Sequence, residues 1–410
     1  MEKEYESLKH LFQQEFAKMV AVISKLYGLQ HIEMAEDIVS ETFLLAAETW
    51  GMKGIPQNPA AWLYAVAKQK TMYQFRRNSI LEQKVMPGIK AQQEMQYEDA
   101  TPDFSGQNIK DSQLQMLFAI CDPAIASEAQ IGLALRILCG FGIDEIAEAF
   151  LSNKETINKR LFRAKEKLRE EKITMELPPE NKLSQRLANV LHIIYLLFNE
   201  GYYSKTQNEI LRRDLCLEAM RLCLMLTEYE KTNLPATNAL MALMCFHASR
   251  FDARQAGADH VVLYEQQDET LWNKELIQQG LHYLHLSAQG NELSTYHIEA
   301  RIAYWHCIRE DSQEKWADIL QLYDRLLQIS YTPGAALNRV FALYKLKGAE
   351  AALTEAVQLD MSNSHFYHVL LGTLYAPGDK EKARQHFTQA YRLAKTQTEQ
   401  QEIQEKIDGL

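Results

Sequence analysis

Apolar residues recur at intervals of three and four along almost the whole 410-residue chain, and this spacing is the strongest constraint on its fold. Such spacing puts apolar side chains on one face of an α-helix, whereas a half-buried β-strand needs strict alternation of apolar and polar residues. Strand-like alternation bounded by Asn-Gly or Asp-Gly turns does not occur. The sequence therefore predicts an all-α protein.

Two polar stretches divide the helical pattern. Residues 78–112 are rich in polar side chains and contain two prolines and two glycines, which predicts a flexible linker. Residues 173–182 contain a Pro-Pro pair, which ends the helix before it. Because 410 residues exceed a single hydrophobic core, we expect three folded parts, at 1–77, 113–172 and 183–410.

The cysteines and the N-terminus predict a soluble, cytoplasmic protein. The six cysteines include no CxxC pair and mostly sit in apolar helical patterns, which favours reduced, buried thiols. The N-terminal residues carry charges where a signal peptide needs an apolar core. The longest strongly apolar run is too short to cross a bilayer, so no membrane partner is expected.

The middle part contains a basic helix in an acidic chain. Residues 154–169 hold seven Lys or Arg and two Glu, although the net charge of the chain is -10. A short apolar helical face precedes them, formed by Ile143, Ile146, Ala147 and Phe150, and a polar turn separates it from a second face, formed by Ile157, Leu161, Ala164 and Leu168. Two short helices, a tight turn and a basic second helix predict a helix-turn-helix.

The outward side of the second helix is the candidate DNA-reading surface. Its cations suit contacts to phosphates, and its Arg, Asn and Thr side chains suit contacts to base edges in a major groove. The candidate residues are Lys154, Thr156, Asn158, Lys159, Arg160 and Arg163. The alternative is a solvated helix face stabilised by intrahelical Glu–Lys pairs.

The N-terminal part contains two segments of opposite charge. The segment 31–49 has five acidic residues and no Lys or Arg, beside an apolar face of Ile38, Val39, Thr42, Leu45 and Ala46. It is either an acidic docking surface or a solvated helix. Residues 50–81 contain no acid, and their cations interleave with Trp62, Tyr64, Tyr73 and Phe75. This composition is typical of surfaces that stack bases of single-stranded nucleic acid, although aromatic residues at helical spacing also form cores.

Three segments occur in the order of a known family: AEDIVSETF (35–43), NPAAWLYAVAKQKTMYQFRR (58–77) and EIAEAFLSNKETINKRLFRAKEKLR (145–169). With them, residues 1–172 resemble a bacterial sigma-70 family sigma factor of the extracytoplasmic-function type. Residues 367–393 fit the tetratricopeptide pattern, and 336–359 form a weaker copy. The whole chain therefore resembles the subgroup with a C-terminal tetratricopeptide-like extension.

The resemblance implies an architecture and a set of partners. It implies two small helical sigma domains, region 2 at 1–77 and a helix-turn-helix region 4 at 113–172, followed by a tetratricopeptide-like regulatory domain at 183–410. Asp37 and Glu41 would bind the β′ clamp of core RNA polymerase, and the β flap is a second polymerase contact. The minus-ten promoter element would be held by Lys68, Lys70, Tyr73, Arg76 and Arg77. The minus-thirty-five element would be read by the helix-turn-helix residues named above.

The implied function is that of an alternative sigma factor, nucleoid-associated when bound to polymerase. This interpretation requires no catalytic residue, cofactor or metal, because the phosphodiester chemistry belongs to the core enzyme. His282, His285 and His306 have spacings that invite a metal, but no second cluster completes four ligands. The C-terminal domain would modulate activity, with a protein or small molecule as its ligand.

Two other classes of function compete with this interpretation. A ligand-sensing helix-turn-helix regulator that does not bind polymerase explains residues 143–410, but it leaves residues 31–77, including the acidic segment 35–43, without a role. A repeat scaffold for protein partners does not explain the clustered cations at 154–169. The acidic segment 35–43 is thus the feature that distinguishes the sigma factor hypothesis from the regulator hypothesis.

Overall fold

The structure is a computed structural model, and it describes residues 2–85, 101–203, 209–254, 262, 264–395 and 397–410. The regular structure of these residues is helical and no strand occurs among them, which confirms the all-α prediction. The chain forms two compact units, Met1–Thr232 and Asn233–Leu410.

The first unit is built from helices α1 to α9. Their bounds are α1 Glu2–Tyr27, α2 Ile32–Lys53, α3 Pro59–Val85, α4 Gly106–Ile120, α5 Ser127–Leu133, α6 Ile143–Ala149, α7 Lys154–Glu170, α8 Glu180–Tyr202 and α9 Glu209–Thr227. A π-helical turn, Ala134–Leu138, continues α5. The helix α1 packs against α2, α3 and α4, so it is central to the unit. Its Phe16, Met19 and Ile23 are fully buried, as is Phe118 of α4.

The prediction of a flexible linker over residues 78–112 is wrong at both ends of this range, where the structure is helical. The helix α3 continues to Val85, because the apolar spacing persists and no proline interrupts it before Pro87. At the other end, Ser105 caps α4, and α4 buries Ile109 and Leu114 in the core. The central part of the predicted linker, 86–100, lies outside the described residues.

Helices α8 and α9 belong to the first compact unit, although the Pro-Pro pair suggested a boundary before residue 183. Two side chains of α8 bind the C-terminal end of α4 and the residues after it. Arg186 donates to the Phe118 carbonyl at 2.6 Å and pairs with Asp122 at 2.6 Å, while Asn189 donates to the Cys121 carbonyl at 2.5 Å. These bonds satisfy carbonyls that the end of a helix leaves unpaired.

The second unit is also helical. Its helices are α10 Pro235–Ala248, α11 Phe251–Arg254, α12 Lys274–Ser287, α13 Thr295–Trp305, α14 Gln313–Ile329, α15 Pro333–Lys347, α16 Ala349–Ala356, α17 His365–Tyr375, α18 Lys380–Leu393 and α19 Gln397–Asp408. The segments with tetratricopeptide spacing form two helix pairs, α15 with α16 and α17 with α18, whose members pack against each other.

The α17–α18 pair crosses at a glycine that the repeat pattern did not identify. The tetratricopeptide consensus has a glycine at the position of Leu371, whose bulkier side chain is buried here. A Cβ atom on the next residue, Gly372, would lie 2.6 Å from the ring of Phe387, which is itself buried. The small residue that allows the close approach of α17 and α18 is therefore Gly372.

All six cysteines lie in the described part of the chain, and none forms a disulfide bond. Five are buried, and Cys307 is partly buried. Burial raises the pKa of the Cys121 and Cys245 thiols to about 12 in each case. Across the described ranges, we find no helix that combines the length and the apolar character needed to cross a membrane.

We predict that Gly372→Ala destabilises the second unit by about 1–3 kcal/mol, because the added methyl group overpacks the Phe387 ring. Urea denaturation followed by circular dichroism measures this change. Gly378→Ala is the matched control, because nothing lies within 4 Å of its Cβ position. Equal urea midpoints for the two variants would contradict the assigned role of Gly372.

Candidate nucleic-acid interface

Helices α6 and α7 are joined by a tight turn and carry the predicted DNA-reading residues. The Ser152 N–H donates to the Ala147 carbonyl at 2.8 Å, which closes α6, and Leu151 adopts a left-handed conformation with φ 47. The Asn153 side chain then accepts a hydrogen bond from the Thr156 N–H at 2.8 Å, which starts α7. The apolar residues predicted for α7 are all buried: Ile157, Leu161, Ala164 and Leu168.

Most cations of α7 have an acidic partner within the protein. Lys154 pairs with Asp144 at 2.7 Å, and Lys167 pairs with Glu171 at 2.6 Å. Arg160 pairs with Glu128 at 3.2 Å and lies over the Phe150 ring. The pairs of Lys165 and Arg169 are described below. Among the described residues, only Lys159 and Arg163 of α7 have no acidic side chain within ion-pair distance.

The two flanks of α7 have different surroundings. At 3.6 residues per turn, Thr156, Lys159 and Arg163 project from one flank, and all three are exposed. Lys165 and Arg169 project from the other flank, where both pair with acids of α2. Thr156, Lys159 and Arg163 therefore remain open to solvent, whereas Lys165 and Arg169 are used in contacts within the protein.

The α2-facing flank is held by a carboxylate that two cations share. Glu36 is only 6% exposed, and it accepts from Lys165 at 2.5 Å and from Arg136 at 3.0 Å. Arg136 also donates to the Phe141 carbonyl at 3.1 Å and lies over the Phe16 ring. A second pair, Arg169–Glu33 at 2.6 Å, is more exposed. We call Glu36, Arg136 and Lys165 the Glu36 cluster.

The solvent face of α2 is both acidic and apolar. Asp37 and Glu41 are exposed and lie one turn apart. Leu44 follows on the same face and is 61% exposed, and Leu45, which we expected on the buried face, is 37% exposed. Partial burial, followed by the nearby charges of Glu36 and Glu41, raises the pKa of Asp37. The face offers carboxylates beside leucines to a partner with basic and apolar side chains.

The predicted minus-ten residues of α3 are all at least partly exposed. Lys68, Arg76 and Arg77 are exposed, and Tyr73 is 68% exposed. Lys70 instead contacts Glu41 of α2 at 2.8 Å, so two residues assigned to different partners pair with each other.

The other aromatic residues of α3 have neighbours within the protein. Trp62 packs edge-on against Trp50, and the Phe75 ring stacks on Tyr27. Tyr64 stacks on Phe104, which precedes α4. Tyr73 is thus the one aromatic side chain predicted for base stacking that projects into solvent from the described part of α3.

Comparison with known proteins shows the family of the chain. A model described as "Family of unknown function (DUF6596)" matches residues 186–288. The uncharacterized protein R00370 of Rhizobium meliloti (strain 1021) is 32% identical over 400 residues, which cover 96% of this chain and 94% of that protein. The chain belongs to the family of R00370. No solved structure matches it significantly.

The match to R00370 spans both compact units, whereas the DUF6596 model matches a shorter segment. That segment runs from α8 to the end of α12. In the described ranges, no group of three or more His, Cys, Asp or Glu side chains is placed to hold a metal ion.

We predict that Glu36→Ala lowers the free energy of unfolding of the first unit by roughly 3 kcal/mol, because it leaves two poorly exposed cations without their carboxylate. The exposed Glu33→Ala is the control, and it should cost about 1 kcal/mol or less. Thermal and urea denaturation of both variants measure the difference. Similar losses for the two would show that the Glu36 cluster has no special role.

Proposed function

We propose that the protein is an alternative sigma factor that binds core RNA polymerase and directs it to a restricted set of promoters. The observation that carries the proposal is the presence of two exposed surfaces of different chemistry in one compact unit. The first is the acidic and leucine-bearing face of α2. The second is the exposed flank of α7, where Lys159 and Arg163 have no acidic partner among the described residues.

The α2 face suits a protein partner better than a nucleic acid. Its carboxylates would be repelled by phosphates, whereas Leu44 can bury apolar surface against a protein. In the proposed function, Asp37 and Glu41 form charge-assisted contacts with the β′ clamp of the polymerase. The Lys70–Glu41 pair then opens, which releases a cation of α3 for the minus-ten strand.

The α7 flank suits duplex DNA. Lys159 and Arg163 can bind phosphates or a guanine edge, and Thr156 lies beside them near the N-terminal end of the helix, which favours anionic groups. Arg160 is less available, because it is paired with Glu128 and covered on one side by Phe150. We therefore assign minus-thirty-five recognition first to Thr156, Lys159 and Arg163.

We expect the protein to change its conformation when it reads both promoter elements. Elements 25 base pairs apart are about 85 Å apart along B-form DNA, at 3.4 Å per base pair. In the present structure α3 and α7 contact the same helix through Glu41 and Glu36, five residues apart on α2. The two glutamates are therefore about 7.5 Å apart along the axis of α2. We expect the Glu36 cluster to open when the protein engages polymerase and promoter.

The second unit is proposed to modulate sigma activity through its packed helix pairs. Stacked helix pairs of this kind form extended binding surfaces for proteins or small molecules. The alternative function is a ligand-sensing regulator that binds an operator without polymerase. The exposed cations of α7 are compatible with either function, so binding to core polymerase distinguishes them.

We predict that Lys159→Glu with Arg163→Glu abolishes promoter-specific run-off transcription and weakens promoter affinity at least ten-fold, since each base or phosphate contact contributes roughly 1–3 kcal/mol. Binding to core polymerase should not change. Lys182→Glu with Lys274→Glu is the charge-matched control, because both lysines are exposed and lie outside α7. Normal transcription by the α7 variant would refute the assigned reading surface.

We predict the reverse pattern for Asp37→Lys with Glu41→Lys. This variant should bind core polymerase at least ten-fold more weakly, because it reverses two charges that each contribute roughly 1 kcal/mol or more at a protein interface. A pull-down with purified core polymerase measures the affinity. Glu176→Lys with Glu292→Lys changes the net charge equally from exposed positions and serves as the control. Unchanged core binding would remove the main support for the sigma factor proposal.

A further inference from the structure

The aromatic ring of Tyr64 on α3 is covered by a residue from the end of the linker. The rings of Tyr64 and Phe104 are stacked, with centroids 4.8 Å apart and planes inclined by 7°. Phe104 belongs to the segment Thr101–Ser105, which leads into α4, and Pro102 of this segment is buried. The segment is thus anchored next to the α3 surface that carries Lys68.

The position of Tyr64 is fixed from the opposite end of its side chain. Its hydroxyl donates to the carboxylate of Glu15, which is 6% exposed. Burial, and then the Glu15 carboxylate, raise the pKa of this phenol. A ring that is anchored by its hydroxyl has little freedom left to lose when another ring stacks on it.

A groove of about 500 Å³ runs beside this ring pair, and Lys68 contributes to its wall. Asp103 lines the same groove, where its carboxylate accepts from the Ser105 N–H at 2.9 Å and from the Ser105 hydroxyl at 3.0 Å. These bonds, followed by the charges of Lys68 and Lys25, lower the pKa of Asp103. The carboxylate of Asp103 and the Lys68 side chain therefore line the same groove.

The pair Asp103-Phe104 reproduces the two chemical groups of a nucleotide. The Phe104 ring stacks on a tyrosine, as a base does on the platforms of proteins that bind single strands, and the neighbouring Asp103 carboxylate lines the same groove as Lys68. We propose that Tyr64 and Lys68 form a nucleotide-binding platform for single-stranded DNA, and that Asp103 and Phe104 occupy it in the present conformation. The inference rests on the proposed function, because it gives α3 a further contact to the minus-ten strand.

The occupied platform has an energetic consequence. A strand that binds there must first displace Phe104, so its apparent affinity is reduced by the fraction of molecules in which the platform is open. Removing the Phe104 ring should increase affinity for single strands. Removing the Tyr64 ring should eliminate that gain.

The test uses the full-length protein and a fluorescein-labelled, 12-nucleotide single-stranded DNA of mixed sequence, with affinity measured by fluorescence anisotropy at low salt. Phe104→Ala should bind roughly three- to ten-fold more tightly than the wild type, the range expected for one aromatic stack. Phe104→Tyr keeps a ring and should match the wild type. Phe104→Ala with Tyr64→Leu should lose the gain, while its circular dichroism melting curve shows that it is folded.

Phe366→Ala is the matched control, because Phe366 is 62% exposed and belongs to the second unit. Unchanged or weaker binding by Phe104→Ala would overturn the inference, since Phe104 would then be structural or part of the DNA site itself. A gain that survives Tyr64→Leu would also overturn it. The assay contains no polymerase, so its outcome is independent of the core-binding experiment that tests the proposed function.

Discussion

The buried carboxylate of Glu36 determines how the first compact unit is held together. It joins α2 to α7 through Lys165 and to the π-helical turn through Arg136, whose guanidinium also lies over Phe16 of the central helix α1. One acid thus connects three segments. Removing a carboxylate from between two poorly solvated cations leaves their charges uncompensated, so the cluster constrains the unit more strongly than its surface ion pairs do.

The cluster also explains why a basic helix occurs in an acidic protein. On one flank of α7, Lys165 and Arg169 neutralise the acids of α2, and on the other, Lys159 and Arg163 meet no acid among the described residues. Two of its cations therefore hold the helix against α2, and two others remain exposed. If the unit opens on polymerase, both flanks and the acids of α2 become accessible to new partners together.

The sequence predicted the features that depend on local spacing, and it missed those that depend on distant residues. The all-helical fold and the buried residues of α7 follow from periodicity. Lys165 and Glu36 are 129 residues apart, so no local pattern indicates their pair. The sequence did carry one signal, an acidic segment without Lys or Arg at 31–49 and a basic segment with few acids at 154–169. Apolar spacing does not distinguish a buried helix face from an exposed one, so the sequence did not indicate that Leu44 and Leu45 are exposed. The sequence also did not indicate that Phe104 covers Tyr64, because this contact depends on how the helices pack.

Because the cysteines are buried, the rate at which their thiols react reports how often each compact unit opens. Thiols react as thiolates, and a pKa of about 12 leaves Cys121 of the first unit and Cys245 of the second almost entirely protonated at neutral pH. Each becomes reactive only when its surroundings admit water. The rate at which a thiol reagent labels Cys121 therefore follows the opening of one unit, and the rate at Cys245 follows the other.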